Sequence, residues 1–67
     1  MEYKFKYLGT ISAENEEKEI EVYSVHEYGF STNPCCFEIL IKQKGEIIER
    51  KYLSLKEAVK FLNNIIT

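Results

Sequence analysis

Apolar side chains recur at every second position near the start of the chain and at helical spacing near its end, so strands are expected first and a helix last. Tyr3, Phe5 and Tyr7 interleave with Lys4 and Lys6, the two-residue period of a strand with one buried face. This strand is expected to run on through Leu8 to Ile11, and Gly9 within it points to a bulge or a close backbone approach. Residues 12–18 are polar and glutamate-rich and read as a turn. Ile20 and Val22 then alternate with Glu19 and Glu21 and open a second strand. Beyond them the apolar positions slip, because Tyr23 and Val25 fall on the face opposite Ile20 and Val22. Either a bulge near Tyr23 and Ser24 absorbs the slip, or both faces of this strand are partly covered.

Residues 28–34 break the pattern, with Gly29, Asn33 and Pro34 marking a loop. From Cys36 to Gln43 the alternation is at its clearest: Phe37, Ile39 and Ile41 share one face, Glu38, Leu40 and Lys42 the other. Lys44-Gly45 is a tight turn in which glycine supplies a positive φ, and Ile47–Leu53 returns as a fourth strand, so 36–53 is a hairpin. Ser54 is the helix cap, Glu57 three residues later completes a capping box, and Leu53 precedes the cap where it can staple onto Ala58. Leu55, Ala58, Val59, Leu62, Ile65 and Ile66 follow at helical spacing with Phe61 beside them, which predicts a helix over 55–66.

Strands first and helix last define an α+β fold of order β-β-β-β-α, an antiparallel sheet with the helix across one face, within one domain spanning 1–67. Tyr3, Phe5, Tyr7, Phe37, Ile39 and Ile41 are expected to meet Leu55, Val59, Leu62 and Ile66 in the core. One helix covers only part of such a sheet. The other face is then expected to keep Leu8, Tyr23, Val25 and Leu40 among charges. Tyr28 and Phe30 flank Gly29 and either plug the open end of the core or stand out as interface anchors. Those six residues make the expected protein-binding surface.

Length narrows the function. A chain of 67 residues buries roughly 60% of the surface its unfolded form exposes, which leaves little room for an enclosed substrate pocket. At 45% apolar residues, with five Tyr and four Phe, the composition is that of a folded chain. No apolar run approaches the roughly 20 residues of a membrane helix, and Met1-Glu2-Tyr3-Lys4 does not begin a signal peptide. The two cysteines are adjacent and cannot frame a secreted disulfide scaffold, so a reducing cytoplasm is expected.

Candidate chemistry is sparse. Cys35-Cys36 with His26 and Glu27 could in principle form an activated thiolate. The simpler reading places Cys35 in the core with Phe37 and Ile39 and leaves Cys36 on the outer face beside Leu40. His26 reads as a surface or edge-strand residue. One histidine and two adjacent cysteines are too few ligands for a zinc site, the glutamates lack the spacing of a calcium loop, and isolated glycines build no phosphate loop. No enzyme activity, metal or cofactor is expected.

Charge is divided along the chain. Residues 1–33 carry seven Glu and three Lys, a net −4, while residues 34–67 carry four Glu and six Lys and Arg, a net +2. Glu14, Glu16, Glu17, Glu19 and Glu21 form an acidic run that reads as a solvated hairpin tip or as an arm for a basic partner. Lys42, Lys44, Arg50 and Lys51 cluster on the last hairpin, where they can follow a phosphate backbone unless Glu46, Glu49 and Glu57 pair with the basic groups.

Residues 43–62, with the Lys44-Gly45 turn, the basic Arg50-Lys51 and the helix start Ser54-Leu55-Lys56-Glu57-Ala58, resemble the last strands and helix of integrase arm-type DNA-binding domains from phages and transposons. That resemblance implies a short sheet entering the major groove with Lys42, Lys44, Arg50 and Lys51 on DNA. It covers less than a third of the chain, whose net charge of −2 departs from the basic character of the family. The leading expectation is a non-enzymatic protein-binding module, a small regulator or inhibitor of the kind phages and mobile elements encode, whose partner is another protein or a second copy of itself. DNA binding stands second.

Overall fold

The computed structural model describes residues 2–13, 17–27, 29 and 33–66, without the side chains of Ala13 and Ile66. Two-residue alternation is realised as four strands, β1 (Lys4–Ala13), β2 (Lys18–His26), β3 (Cys36–Gln43) and β4 (Glu46–Leu53), and the final spacing as helix α1 (Leu55–Ile66). The strands lie side by side in chain order, each antiparallel to the next, and the helix rests against β3 and β4. This is the expected α+β arrangement. Among the described residues no helix is long and apolar enough to cross a membrane.

The turns follow from local chemistry. Lys44 and Gly45 have φ values of 53° and 82°, so both central residues of the β3–β4 turn are left-handed, as a two-residue hairpin on a twisted sheet requires. Glycine takes this conformation freely, whereas lysine is strained there. At the helix start the capping box closes in both directions: the Glu57 N–H donates to Ser54 Oγ at 3.3 Å, and the Ser54 N–H donates to Glu57 Oε1 at 3.1 Å.

Pairing decides which side chains share a face. Ile11, Ile20 and Ile41 stand in one cross-strand row, and Val22, Ile39 and Lys51 in the next, on the side the helix covers. Ile20, Val22 and Ile39 are buried there, and Ile11, Ile41, Leu53, Phe61, Leu62 and Ile65 pack around them. Ala58 is also buried, and the helix rests on this small residue. Turned that way, the helix directs 61, 62 and 65 to the sheet and leaves 55 and 59 on its flank.

Two core expectations are therefore corrected. Leu55 and Val59 are exposed rather than buried, and the side chain of Ile66 lies outside the described part. Tyr3, Phe5 and Tyr7 are exposed too, on the face opposite the helix. The reason is the bulge in β1. Tyr7 pairs with Tyr23 but Gly9 pairs with Val22, so Leu8 is an extra residue. One extra residue reverses the alternation, placing Ile11 under the helix and Phe5 and Tyr7 on the other side. The slip anticipated in β2 is thus absorbed in β1, and β2 itself runs unbroken with both faces partly covered.

Two measurements check the local chemistry. Lys44→Asn, which tolerates the left-handed conformation, is expected to raise stability in urea denaturation by up to about 1 kcal/mol. Glu57 is held below its ordinary pKa first by the Ser54 backbone N–H and then by the Ser54 side chain. A lowered folded-state pKa means that its contribution is present above the unfolded value and is lost as pH falls through the depressed one. The stability advantage of wild type over Glu57→Gln should therefore shrink to nothing as pH is taken from about 6 to about 3.

Candidate functional site

The sheet face away from the helix is a grid that can be read row by row from the pairing. Phe5, Val25 and Cys36 form the first row, and Tyr7, Tyr23, Glu38 and Tyr52 the second. Thr10, Glu21, Leu40 and Arg50 form the third, and Ser12, Glu19, Lys42 and Ile47 the fourth. One end of the face is thus aromatic and the other charged.

The charged half closes over itself. Lys42 Nζ lies 3.1 Å from Glu21 Oε1, and the Tyr23 hydroxyl donates to the same oxygen at 3.2 Å. Arg50 Nε lies 3.6 Å from Glu38 Oε2, and the Tyr52 hydroxyl bonds the Glu38 carboxylate. Each contact leaves its mark on titration. The Glu21 carboxylate holds the Lys42 ammonium above its ordinary pKa; desolvation first and Glu21 second raise the Tyr23 phenol; the bond to Glu38 raises Tyr52. Leu40 lies buried in the midst of these groups, whose aliphatic stems cover it.

The aromatic half stays open. Tyr3, Phe5, Tyr7 and Tyr52 keep 54%, 46%, 55% and 56% of their surface exposed. Tyr7 and Tyr23 hold each other with ring centroids 5.5 Å apart, and the Tyr7 hydroxyl is hydrogen-bonded to Thr10 Oγ1. Because β4 ends at Leu53 without a partner for Cys36, a hollow of about 330 Å3 remains, lined by Tyr3, Phe5, Val25, Cys35, Cys36 and Tyr52.

Of the surface residues expected from sequence, Tyr23, Val25 and Leu40 do share this face, with Val25 and Leu40 buried by their neighbours. Leu8 is exposed at the bulge. Tyr28 and Phe30 lie outside the described residues, as do Glu14 and Glu16 of the acidic run. The sequence reading missed Tyr3, Phe5, Tyr7 and Tyr52 as surface. Gly9 was the available signal, since a bulge there reverses the first half of β1.

One cysteine departs from expectation, and Cys36 stands on the outer face with Leu40 as expected. Cys35 precedes β3 and is exposed rather than in the core; its N–H donates to the Val25 carbonyl at 2.8 Å. Cys36 is half-buried on the open face, and the two sulfurs lie 3.9 Å apart as free thiols. Burial first, then the neighbouring Cys35 and Glu38, push the Cys36 thiol up, the opposite of what an activated nucleophile needs. His26 is buried rather than on the surface, and its Nε2 lies 2.8 Å from the Ser24 hydroxyl. A serine beside a histidine has the contact of a nucleophile and its base. Both side chains are closed off from solvent here, so the contact serves as a satisfied buried pair. Among the described residues no three His, Cys, Asp or Glu side chains are grouped to hold a metal ion.

The four basic residues of the last hairpin do not form one surface. Lys42 and Arg50 stand on the open face in their ion pairs, whereas Lys51 stands on the helix side, 3.2 Å from Glu49 and over the Phe61 ring at 5.7 Å. Lys44 sits in the turn, where its N–H donates to the Glu17 carbonyl at 3.5 Å. Glu21 and Glu38 are the partners of Lys42 and Arg50, in place of the expected Glu46, and Glu57 caps the helix instead.

No protein-family model matches the chain, and no significantly similar curated protein or solved structure is found.

The thiols give a direct check. In dilute solution a small alkylating agent should modify exposed Cys35 first, and the rate at Cys36 should keep rising beyond the pH at which an ordinary thiol, near about 8.5, is half ionised. Peptide mass spectrometry of timed quenches reads both rates. Equal rates at neutral pH would show that Cys36 is not shielded.

Proposed function

We propose that this chain is a non-enzymatic protein-binding module, a small regulator or inhibitor, that docks its partner on the aromatic half of the open sheet face. One observation carries the reading: Tyr3, Phe5, Tyr7 and Tyr52, each about half exposed, gather on a single face around a hollow. Aromatic side chains bury roughly 150–250 Å2 each, so the part still exposed on these four amounts to about 400 Å2. At about 25 cal/mol per Å2, covering it contributes on the order of 10 kcal/mol before the entropy of association is subtracted. The largest patch on a small chain is often functional, and tyrosines serve at interfaces because they bring large contact area at low entropy cost.

The neighbouring chemistry agrees with binding rather than turnover, since the Cys36 thiol is raised and the Ser24–His26 pair is enclosed. Free thiols suit the reducing cytoplasm in which we place the chain. Binding of DNA through Lys42, Lys44, Arg50 and Lys51 ranks second, because three of these cations are engaged by glutamates and they do not share a face.

The test compares immobilised wild type, a Phe5→Lys/Tyr52→Lys variant and a Val59→Lys variant altered on the exposed helix flank. Proteins retained from one cell extract should be lost on the first variant and kept on the second. Identical retention by all three would overturn the reading, and retention of nucleic acid that salt above about 0.2 M abolishes would replace it with the DNA reading.

A further inference from the structure

Cys35 and Cys36 are nucleophilic side chains that neither the core nor the ion pairs of the open face use. On a regular strand, neighbouring side chains point to opposite faces. Here the alternation begins only at Cys36, and Cys35 lies before it with its N–H on the Val25 carbonyl. Both thiols line the same hollow, with their sulfurs 3.9 Å apart.

That spacing decides what the pair can hold. A disulfide normally spans Cα atoms about 4.4–6.8 Å apart, whereas neighbours across a trans peptide are held at about 3.8 Å. Direct oxidation of adjacent cysteines therefore strains the chain and gives a bond that is easily reduced. A bridging atom makes no such demand. With two bonds of about 2.3 Å, the length of a metal–thiolate bond, and an angle of about 100° between them, it needs sulfurs about 3.5 Å apart. Closing to that distance from 3.9 Å is a small side-chain adjustment.

The rest of the hollow selects the bridging atom. A structural zinc ion takes four protein ligands, and among the described residues no three His, Cys, Asp or Glu side chains are grouped to hold a metal. A pyramidal trivalent centre needs only three bonds, and two sulfurs leave one for an organic substituent. Tyr3, Phe5, Val25 and Tyr52 wall the remaining space of about 330 Å3. An apolar cavity of about 150 Å3 is enough for benzene, so an aryl or alkyl group fits against these side chains. Such an adduct has no net charge and escapes the cost of placing an ion against aromatic carbon. Burial first, then Cys35 and Glu38, raise the Cys36 thiol, and a more basic thiolate is the slower leaving group.

We propose that Cys35 and Cys36 together form a dithiol site for a trivalent arsenical carrying one apolar substituent, with that substituent seated in the aromatic hollow. From a dihydroxy arsenical, each sulfur forms a bond to arsenic and the two arsenic–oxygen bonds break. The two thiol protons leave with the oxygens as two waters. Arsenic stays trivalent, so the step needs no oxidant or reductant. The site stands whether or not a protein partner docks on the same face.

Phenylarsine oxide, which hydrates to the dihydroxy form, is the probe. One equivalent should block both thiols of the wild-type chain, with one arsenic per chain by mass spectrometry. Any adjacent cysteines give that much, so the hollow is tested through folding. A ligand held more tightly by the folded than by the unfolded chain raises the folding constant, at saturation by the ratio of the two affinities. Saturating phenylarsine oxide should therefore raise the folding constant of wild type at least about tenfold in urea denaturation. Inorganic arsenite, which brings no apolar group, should give a clearly smaller rise. Phe5→Lys/Tyr52→Lys, shown to be folded by circular dichroism, should lose the rise while both its thiols still react. Cys35→Ser and Cys36→Ser should each surrender the arsenical to a monothiol that leaves the wild-type adduct intact. An unchanged or lowered urea midpoint overturns the proposal, because the unfolded chain then holds the arsenical as well as the folded one. So does an equal rise with arsenite and the phenyl compound, a full rise in the hollow variant, or two arsenicals per chain.

Discussion

A helix of twelve residues is about 18 Å long and about 10 Å across, whereas four strands side by side span about 19 Å and the longest here reaches about 33 Å. That mismatch governs the molecule. The helix settles over β3 and β4, Ala58 sets the closeness of contact, and Ile20, Val22 and Ile39 are the apolar centre of the cluster it completes. Everything beyond its reach must be covered by side chains of the sheet itself or stay open. The polar grid around Leu40 and the bare aromatics around Phe5 are the two outcomes, side by side on one face.

Why one half closes is a matter of side-chain type. Lysine, arginine and glutamate carry flexible stems that can lie across a leucine and still keep their charges in water. Ion pairs with a solvent-screened cation add little to stability by themselves. Their value on this face lies in position, because they hold the stems over Leu40 and leave it no contact to offer. Aromatic rings have no such reach. Phe5 and Tyr7 stand on an edge strand with Tyr3 just before it and, with no second layer above them, about half of each side chain remains in water.

Elements whose signals lie close together in the chain were legible. The 36–53 hairpin, the Lys44-Gly45 turn and the Ser54–Glu57 box each depend on residues within a few positions, and each is where the spacing placed it. The errors share a different cause. Glycine at position 9 announced a bulge, but the consequence, a reversed alternation for everything before it, depends on where the ladder with β2 resumes. Cys35 lies just before β3, so the alternation that holds from Cys36 onward does not carry it into the core. Leu55 and Val59 belong to the apolar stripe of the helix, yet the rotation about its axis was settled by which side chain allowed closest approach. The Glu21–Lys42 and Glu38–Arg50 pairs join residues on different strands and required the finished register. Of the candidate site, the idea of an uncovered face was readable and its aromatic membership was not.

An open sheet offers two ways to associate, along its edges or across its face, and this one guards its edges. β1 is broken by its bulge and carries Lys4 and Lys6; β4 is interrupted near Ile48 and carries Glu46, Glu49, Arg50 and Lys51. Bulges twist an edge away from a straight partner, and charges along it oppose an incoming strand. Edge pairing would also be open-ended, since β1 and β4 are different strands and joining them leaves a free edge at each end of the pair. Face contact carries neither penalty. It is limited to one partner by the helix on the opposite side, and it meets aromatic carbon where the edges present lysine and glutamate. The same helix that is too small to roof the sheet thereby limits how many neighbours the sheet can take.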